Sequence, residues 1–161
     1  MGRVVWGSNF YECGILFIMN ILEKVKALNL PSKQFVVMGG AVLELKGIRK
    51  SNDIDIIVTK DLFDKLKEDS TWEYKSELGS LGMVQVESLE NYNGVSLYHN
   101  IYGGGDIDFF RNTPDKIEEV DGVYFVSLSN LLEVKSSTWN REKDKVDVEL
   151  IKDYLSRENK N

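Results

Sequence analysis

The chain has 161 residues, a length that predicts one domain and excludes a large multidomain assembly. With 42% hydrophobic and 29% charged residues it has the apolar content of an ordinary globular domain, which excludes wholesale disorder. The 20 basic and 26 acidic residues give a formal net charge of −6, so the surface as a whole repels phosphate polymers and no duplex nucleic acid is expected as a partner. A nucleotide could therefore bind only at a local basic patch or through a bound metal ion.

Cysteine and histidine are too scarce for several classes of site. A single cysteine, Cys13, cannot form an internal disulfide, and the lone His99 leaves no set of ligands for zinc. We assign His99 no role. The longest early apolar run, residues 14–19, is far shorter than the roughly 18 residues that span a bilayer. We therefore expect a protein of the reducing cytoplasm, with neither secretion nor membrane insertion.

The chain divides into three parts. Residues 1–18 have neither helical nor strand periodicity and are predicted to be a weakly ordered leader or an upstream extension, in which case Met19 is the biological start. Residues 19–156 are predicted to form the single domain, which opens with a helix capped by Asn20. The polar residues 157–161 are predicted to fray.

Hydrophobic periodicity and turn residues predict alternating helices and strands. In chain order they are a helix over 22–28, a strand over 35–38, a helix over 41–46, a strand over 53–58, a helix over 61–67, strands over 83–86 and 95–102 joined by a turn at Asn93-Gly94, strands over 106–110 and 123–126, and helices over 129–137 and 142–155. This alternation predicts an α/β or α+β fold.

The segment Asp53-Ile54-Asp55-Ile56 carries the clearest chemistry. Side chains alternate between the two faces of a strand, so Asp53 and Asp55 share one face while the isoleucines point to the other. Two carboxylates about 7 Å apart on a rigid strand repel each other unless a cation lies between them. A hard divalent metal is the expected occupant.

A second pair of aspartates, Asp106 and Asp108, stands in a similar apolar setting. If that strand pairs beside the first, facing side chains about 5 Å apart would bring a third carboxylate to the metal. Asp108 is our choice for this ligand, with Asp106 as the substitute. For one Asp-x-Asp alone, a solvated strand edge or turn is the better interpretation. An EF-hand calcium loop is excluded because Ile57 and Val58 stand where further oxygen ligands are required.

Two glycines, Gly39 and Gly40, lie where a strand turns into a helix. Without side chains they would let backbone N–H groups approach phosphate oxygens. A tight turn is the commoner explanation for such a pair. The sequence is not a Walker motif, because no Gly-Lys-Ser/Thr follows.

The order of these motifs resembles the nucleotidyltransferase superfamily with a polymerase-beta-like palm. The string Arg49-x-Ser51-x-Asp53-Ile54-Asp55 looks especially like the small bacterial branch that includes the AbiEii-type abortive-infection toxins. The resemblance covers about residues 35–155 and departs at Asn52, where the relatives often have Lys. It implies a mixed, mostly antiparallel sheet of about five strands flanked by helices.

The end of the chain adds to this resemblance. It is similar to the branch's helical ending, Lys…Arg-x-Lys-Asp-x-x-Asp. By resemblance, Lys135 and Arg141 or Lys143 would reach toward a triphosphate, while Asp144 and Asp147 would organise the helix turn. A solvated, charged helix face is the alternative for each residue taken singly.

The implied activity is Mg²⁺-dependent transfer of a nucleoside monophosphate from an NTP such as ATP to a hydroxyl, with release of pyrophosphate. Two metal ions would lie on Asp53, Asp55 and Asp108, the last also accepting the proton. Gly39, Gly40, Arg49 and Ser51 would bind phosphates. The acceptor (a protein, a small molecule or a tRNA end) stays open. The alternatives are a non-catalytic, antitoxin-like module that binds a helical partner protein, as in toxin–antitoxin pairs, and an aminoglycoside-type antibiotic nucleotidyltransferase.

Overall fold

The computed structural model describes residues 19–79, 85–101, 105–113 and 115–160. The leader predicted over residues 1–18 lies outside the described residues. None of the helices in the described ranges is both long enough and apolar enough to cross a membrane.

A seven-stranded mixed sheet forms the centre of the fold. In spatial order its strands are β3 (Glu73–Leu78), β4 (Gln85–Glu90), β5 (Val95–Tyr98), β2 (Ile54–Val58), β1 (Phe35–Met38), β9 (Val123–Val126) and β8 (Ile117–Val120). The β5–β2 and β1–β9 pairs are parallel and the others antiparallel. A separate two-stranded ribbon pairs β6 (Asn100–Ile101) with β7 (Gly105–Asp106).

Six α-helices and one π-helix accompany the sheet in the described residues. They are α1 (Ile21–Lys26), α2 (Gly40–Leu45), α3 (Lys60–Lys67), α4 (Ile107–Asn112), α5 (Leu128–Glu133), a π-helix (Val134–Trp139) and α6 (Glu142–Glu158). The predicted cap of α1 is present, because the Asn20 side chain accepts from the Glu23 N–H and Glu23 reaches back to the Asn20 N–H.

The middle strands are the most deeply buried part of the sheet. All four residues of β1 are buried, and Ile56, Ile57 and Val58 of β2 are fully inaccessible. The register places Asp55 between Met38 of β1 and Ser96 of β5. This acidic side chain is therefore held by strands on both sides, and the hydrophobic core fixes its position.

The strand prediction fails at two edges of the sheet. The sheet has seven strands rather than about five, because β3 and β8 were not predicted. Both are edge strands, and β3 is almost wholly exposed. The strands predicted over 35–38, 53–58 and 123–126 are confirmed to within one residue, as is the turn at Asn93-Gly94 between β4 and β5.

The strand predicted over residues 106–110 is wrong. Only Asp106 belongs to a strand, and α4 begins at Ile107. The Asp106 carboxylate caps this helix by accepting from the N–H groups of Asp108 (3.0 Å) and Phe109 (3.1 Å). An aspartate that satisfies two free N–H groups stabilises a helix start, and this outweighs the apolar alternation that suggested a strand.

At the carboxyl end the last helix is longer than predicted. Helix α6 continues through Glu158, so the first two residues of the predicted frayed tail are helical. Arg157 forms an ion pair one turn back with Asp153, which is compatible with the longer helix.

Candidate functional site

Asp53 and Asp55 line one cavity at the end of β2. Asp53 precedes the strand and is exposed, whereas Asp55 is half-buried on the cavity floor. The cavity has a volume of about 320 Å³. Its lining consists of Met38, Asp53, Asp55, Glu77, Leu78, Gly79, Val86, Ser88, Glu90, Tyr98, Trp139, Arg141 and Lys143. The structure thus brings the predicted pair of aspartates together with two of the predicted cations.

The two glycines at the start of α2 pack directly against the acidic loop. A Cβ on Gly39 would lie 2.9 Å from Asp55 Oδ2, and Gly39 has φ of +68°, which favours glycine. A Cβ on Gly40 would clash with Ser51 Oγ. Close approach of the chain to Asp55 and Ser51 therefore requires both glycines.

Arg49 and Ser51 fix the loop that leads to Asp53. Ser51 Oγ donates to the Asp53 carbonyl oxygen (2.7 Å) and lies 3.4 Å from Asp53 Oδ1. The Arg49 guanidinium makes a two-pronged pair with Asp147 on α6, at 2.6 and 2.8 Å. Neither Arg49 nor Ser51 lines the cavity. Both side chains make contacts within the protein, and the phosphate contact expected of them stays a prediction.

The opposite wall of the cavity is cationic. Arg141 and Lys143 come from the start of α6, and Trp139 closes the π-helix beside them. Arg141 lies 5.1 Å from the centre of the Trp139 ring and also pairs with Asp144. Within the described part of the chain Lys143 pairs with no carboxylate, and its charge lowers the pKa of Asp55. Lys143 is the predicted cation best placed to meet a phosphate.

Lys135 differs from these two cations because it is 4% exposed and does not line the cavity. Its Nζ lies 2.9 Å from Asp144 Oδ1 and 2.9 Å from Asp147 Oδ2. We define the ionic cluster as Arg49, Lys135, Arg141, Asp144 and Asp147. It joins the loop before Asp53 to the π-helix and α6. Lys135 contacts two aspartates of this cluster, and its reach toward a triphosphate stays a prediction.

Burial and hydrogen bonding act in opposite directions within the ionic cluster. Burial by itself would raise the pKa of Asp144, but hydrogen bonds from Arg141 and Lys135 outweigh it and lower this pKa to about 2. The pKa of Asp147 is also lowered, because hydrogen bonds from Arg49 and Lys135 outweigh burial. Both carboxylates are therefore ionised and paired.

At Asp55 the effects that raise the pKa outweigh those that lower it. Burial, followed by the charge of Asp53, raises the pKa of Asp55 to about 6. The charge of Lys143 and a long hydrogen bond from the Tyr98 hydroxyl (3.5 Å to Oδ1) only partly offset these effects. The protein therefore holds two mutually repelling carboxylates in one cavity without neutralising them.

The remaining cavity wall is built from residues of β3, β4 and β5. Tyr98 stands on β5 beside β2, and Glu77, Ser88 and Glu90 stand on β3 and β4. The alternation of β5, with Val95 and Leu97 buried, could have indicated that Tyr98 faces the other side with Asp55. No feature of residues 73–90 in the sequence singles out their role.

The third metal ligand predicted from the sequence is not brought to this cavity. Asp108 lies exposed in the first turn of α4 and Asp106 caps that helix, and neither lines the cavity. The strands beside β2 are β1 and β5, so the pairing assumed for Asp108 does not occur. Among the described residues no three His, Cys, Asp or Glu side chains converge on one metal position.

The two aspartates alone nevertheless suit magnesium. Mg²⁺ is usually bound through one or two carboxylates, with substrate phosphates and water completing its coordination. Burial, and after it the charge of Asp53, raises the pKa of Asp55, and a divalent cation bound by both carboxylates would relieve their repulsion. Asp53 and Asp55 therefore fit such an ion.

The comparisons with known proteins give one distant similarity. No model of a protein family matches this chain, and no curated protein matches its sequence. In structure the chain is similar to an antigenic nucleotidyltransferase-like protein from Paracoccidioides brasiliensis. The two are 19% identical, with 85% of this chain and 74% of the other covered and a TM-score of 0.40. A likeness of this size does not assign a function, and the case for one rests on the cavity residues.

Proposed function

We propose that this protein is a metal-dependent nucleotidyltransferase that transfers a nucleoside monophosphate from an NTP to a hydroxyl acceptor. The observation that carries the proposal is the cavity in which Asp53 and Asp55 face the cations Arg141 and Lys143. A metal site alone would not need these cations, and a site for a free anion would not have an uncompensated acidic pair. A metal-bound polyphosphate requires both.

Each residue of the cavity then has a defined part. Asp53 and Asp55 would hold Mg²⁺, which when bound supplies charge stabilisation to the phosphates. Lys143 and Arg141 bind phosphate oxygens, and Gly39 lets the turn before α2 lie against Asp55. The acceptor oxygen bonds to the α-phosphorus as the bond to pyrophosphate breaks, and the hydroxyl proton leaves to water in the open cavity. Asp108 has no part in this scheme.

The ionic cluster would hold the acidic and the cationic parts of the site at a fixed separation. It joins the loop before Asp53 to the helix that carries Lys143, through the Arg49–Asp147 and Lys135–Asp144 pairs. Acids and cations that act together on one substrate must keep a fixed separation. We assign Arg49, Lys135, Asp144 and Asp147 a positioning role.

Titration of nucleotides tests the proposal. ATP, GTP, CTP and UTP are titrated calorimetrically with and without Mg²⁺ into the wild type, the Asp53→Ala/Asp55→Ala double variant and Asp108→Ala as the control. We expect Mg²⁺-dependent binding of at least one nucleotide, lost in the double variant and retained in the control. Absence of binding by the wild type under every condition would overturn the proposal and favour the alternative of a partner-binding module.

A further inference from the structure

Strand β3 forms one edge of the seven-stranded sheet. In the described residues it pairs with β4 along its whole length and with no strand on its other side. All of its residues except Lys75 are exposed. The free side of an edge strand presents N–H and C=O groups that can pair with another strand, and edges are usually kept short or interrupted by proline. Strand β3 has six residues and contains no proline.

We propose that β3 pairs with β3 of a second copy of this chain. The two strands run antiparallel, and the two seven-stranded sheets join into one continuous sheet with two-fold symmetry. This inference goes beyond the proposed transferase activity and does not rest on it, because neither Asp53 nor Asp55 takes part in the contact.

Symmetry restricts the register of such a pair. Opposite residues in neighbouring strands point to the same face of the sheet, so in two identical antiparallel strands their numbers differ by an even number. One register centres on Ser76, which lies opposite Ser76 of the second copy. It places Lys75 opposite Glu77 and Tyr74 opposite Leu78, and symmetry gives each of these two pairs twice.

The charges on β3 select this register. Lys75 opposite Glu77 is an attractive cross-strand pair. Within the described part of the chain Glu77 forms no ion pair, and the ammonium group of Lys75 has three donors, of which one meets Glu90 at 2.5 Å. A register centred on Lys75 would instead place Lys75 opposite itself and Glu73 opposite Glu77, and like charges directly opposite are destabilising.

Registers centred elsewhere on β3 use less of the strand. A register centred on Tyr74 pairs only residues 73–75, and one centred on Glu77 pairs only residues 76–78. The second also places Glu77 opposite itself. The register centred on Ser76 pairs residues 74–78 and is therefore the longest one without a repulsive pair.

Exposed apolar side chains are the second, independent argument. Tyr74 is 39% exposed and Leu78 is 63% exposed, although both are large hydrophobic residues. They lie four positions apart in one strand and so share a face of the sheet. In the register centred on Ser76 each lies opposite the other in the second copy. Pairing would therefore cover apolar surface that the single chain leaves in water.

The opposite edge of the sheet does not have this complementarity. Strand β8 is also an edge strand, and its central residues are Glu118 and Glu119. Antiparallel pairing of β8 with itself, centred on either residue, places a glutamate opposite the same glutamate. Self-complementary charge is thus a property of β3 and not of both edges.

Sedimentation equilibrium of the full chain over a range of concentrations tests the proposal. Two paired strands of six residues form a small interface, and small interfaces are weak. We therefore expect a reversible monomer–dimer equilibrium with a dissociation constant in the micromolar range. A wild type that stays monomeric up to about 1 mM would overturn the proposal and leave this edge to a strand of another protein.

Charge variants test the register. Lys75→Glu alone and Glu77→Lys alone each place like charges opposite each other twice, so each is expected to weaken the dimer at least about tenfold. An equimolar mixture of the two variants should dimerise again, because every pair between positions 75 and 77 then has opposite charges. A variant that fails to fold would not be rescued by mixing.

Glu73→Lys is the matched control. Glu73 lies on the same strand and the same face as Lys75 and Glu77, but outside the residues that the register centred on Ser76 pairs. We expect this variant to dimerise as the wild type does. Dimerisation that neither Lys75→Glu nor Glu77→Lys weakens, no rescue on mixing, or an equal loss in the control would overturn the inference.

Discussion

Within the described part of the chain, the carboxylates of the ionic cluster are paired with cations, whereas Asp53 and Asp55 in the cavity are not. Asp144 and Asp147 each meet two cations, and both have lowered pKa values. Asp55 meets a neighbouring aspartate and no direct cation, and burial raises its pKa to about 6. A fully paired charge stabilises the architecture, whereas an unpaired one keeps a position open for a ligand. The difference separates residues that support the site from residues that act in it.

Breaking the ionic cluster should have the largest effect on stability. Asp144→Asn leaves Lys135 buried with one partner fewer, and loss of one partner from a buried pair costs about 3–5 kcal/mol. The free energy of unfolding is measured by urea denaturation. Asp153→Asn is the control, because its pair with Arg157 is exposed and should contribute less than about 1 kcal/mol. Equal losses in the two variants would show that the cluster is not a structural support.

Neutralising Asp55 should weaken ligand binding without lowering stability. Asp55→Asn is expected to weaken Mg²⁺-dependent nucleotide binding more than about a hundredfold, because it removes a metal ligand. The melting temperature of the metal-free protein should not fall, since the variant removes a desolvated charge and its repulsion by Asp53. Calorimetry and thermal denaturation give the two values. Undiminished nucleotide binding would contradict the assignment of Asp55.

A methyl group on Gly39 should displace the Asp55 carboxylate. Gly39→Ala meets a positive φ and places its Cβ 2.9 Å from Asp55 Oδ2, so we expect a loss of about 1–3 kcal/mol in stability, with weaker nucleotide binding. Gly47→Ala is a matched control, with φ of +69° but nothing within 4 Å of its Cβ. The difference between the variants measures the contact with Asp55. No difference would mean that backbone strain alone matters.

The pH dependence of stability should have opposite signs in the two regions. Because the folded-state pKa of Asp144 is lowered, its stabilisation is present above pH 4 and is lost as the pH falls toward 2. Because the folded-state pKa of Asp55 is raised, its ionisation destabilises the metal-free protein as the pH rises from about 4 to about 6, by about 3 kcal/mol. Urea midpoints of the wild type and Asp55→Asn, compared at pH 4 and 7, measure the second effect. A constant difference between them would contradict it.

The sequence was sufficient where local pattern and fold agree. Gly39, Gly40, Asp53 and Asp55 lie in strand–turn–helix and strand segments whose apolar residues are continuous, and such segments are defined by their own periodicity. The exposed edge strand β3 has no buried face and hence no alternation to detect. Strand β8 could have been found, because Asp121-Gly122 between it and β9 is a strong hairpin turn.

The differences between the predicted and the observed contacts in the site have a different cause. Asp106-Ile107-Asp108 has the same local pattern as Asp53-Ile54-Asp55, yet one begins a helix and the other a strand, because Asp106 caps two N–H groups. The pair of Arg49 and Asp147 joins residues 98 positions apart. A single sequence does not show which distant residues form pairs. From the sequence alone, phosphate contacts of Arg49 and Lys135 could therefore not be distinguished from ion pairs within the protein.

Strands β3 and β4 lie at one edge of the sheet, away from the central strands that hold Asp55. The carboxylates and glycines belong to the buried central strands and their adjoining turns, where most substitutions disturb packing. The cavity residues Glu77, Val86 and Glu90 stand on β3 and β4 near one edge of the sheet and do not belong to the core, so their exchange would disturb packing less. Substitutions in this hairpin could therefore change what the cavity binds while Asp53 and Asp55 keep their positions.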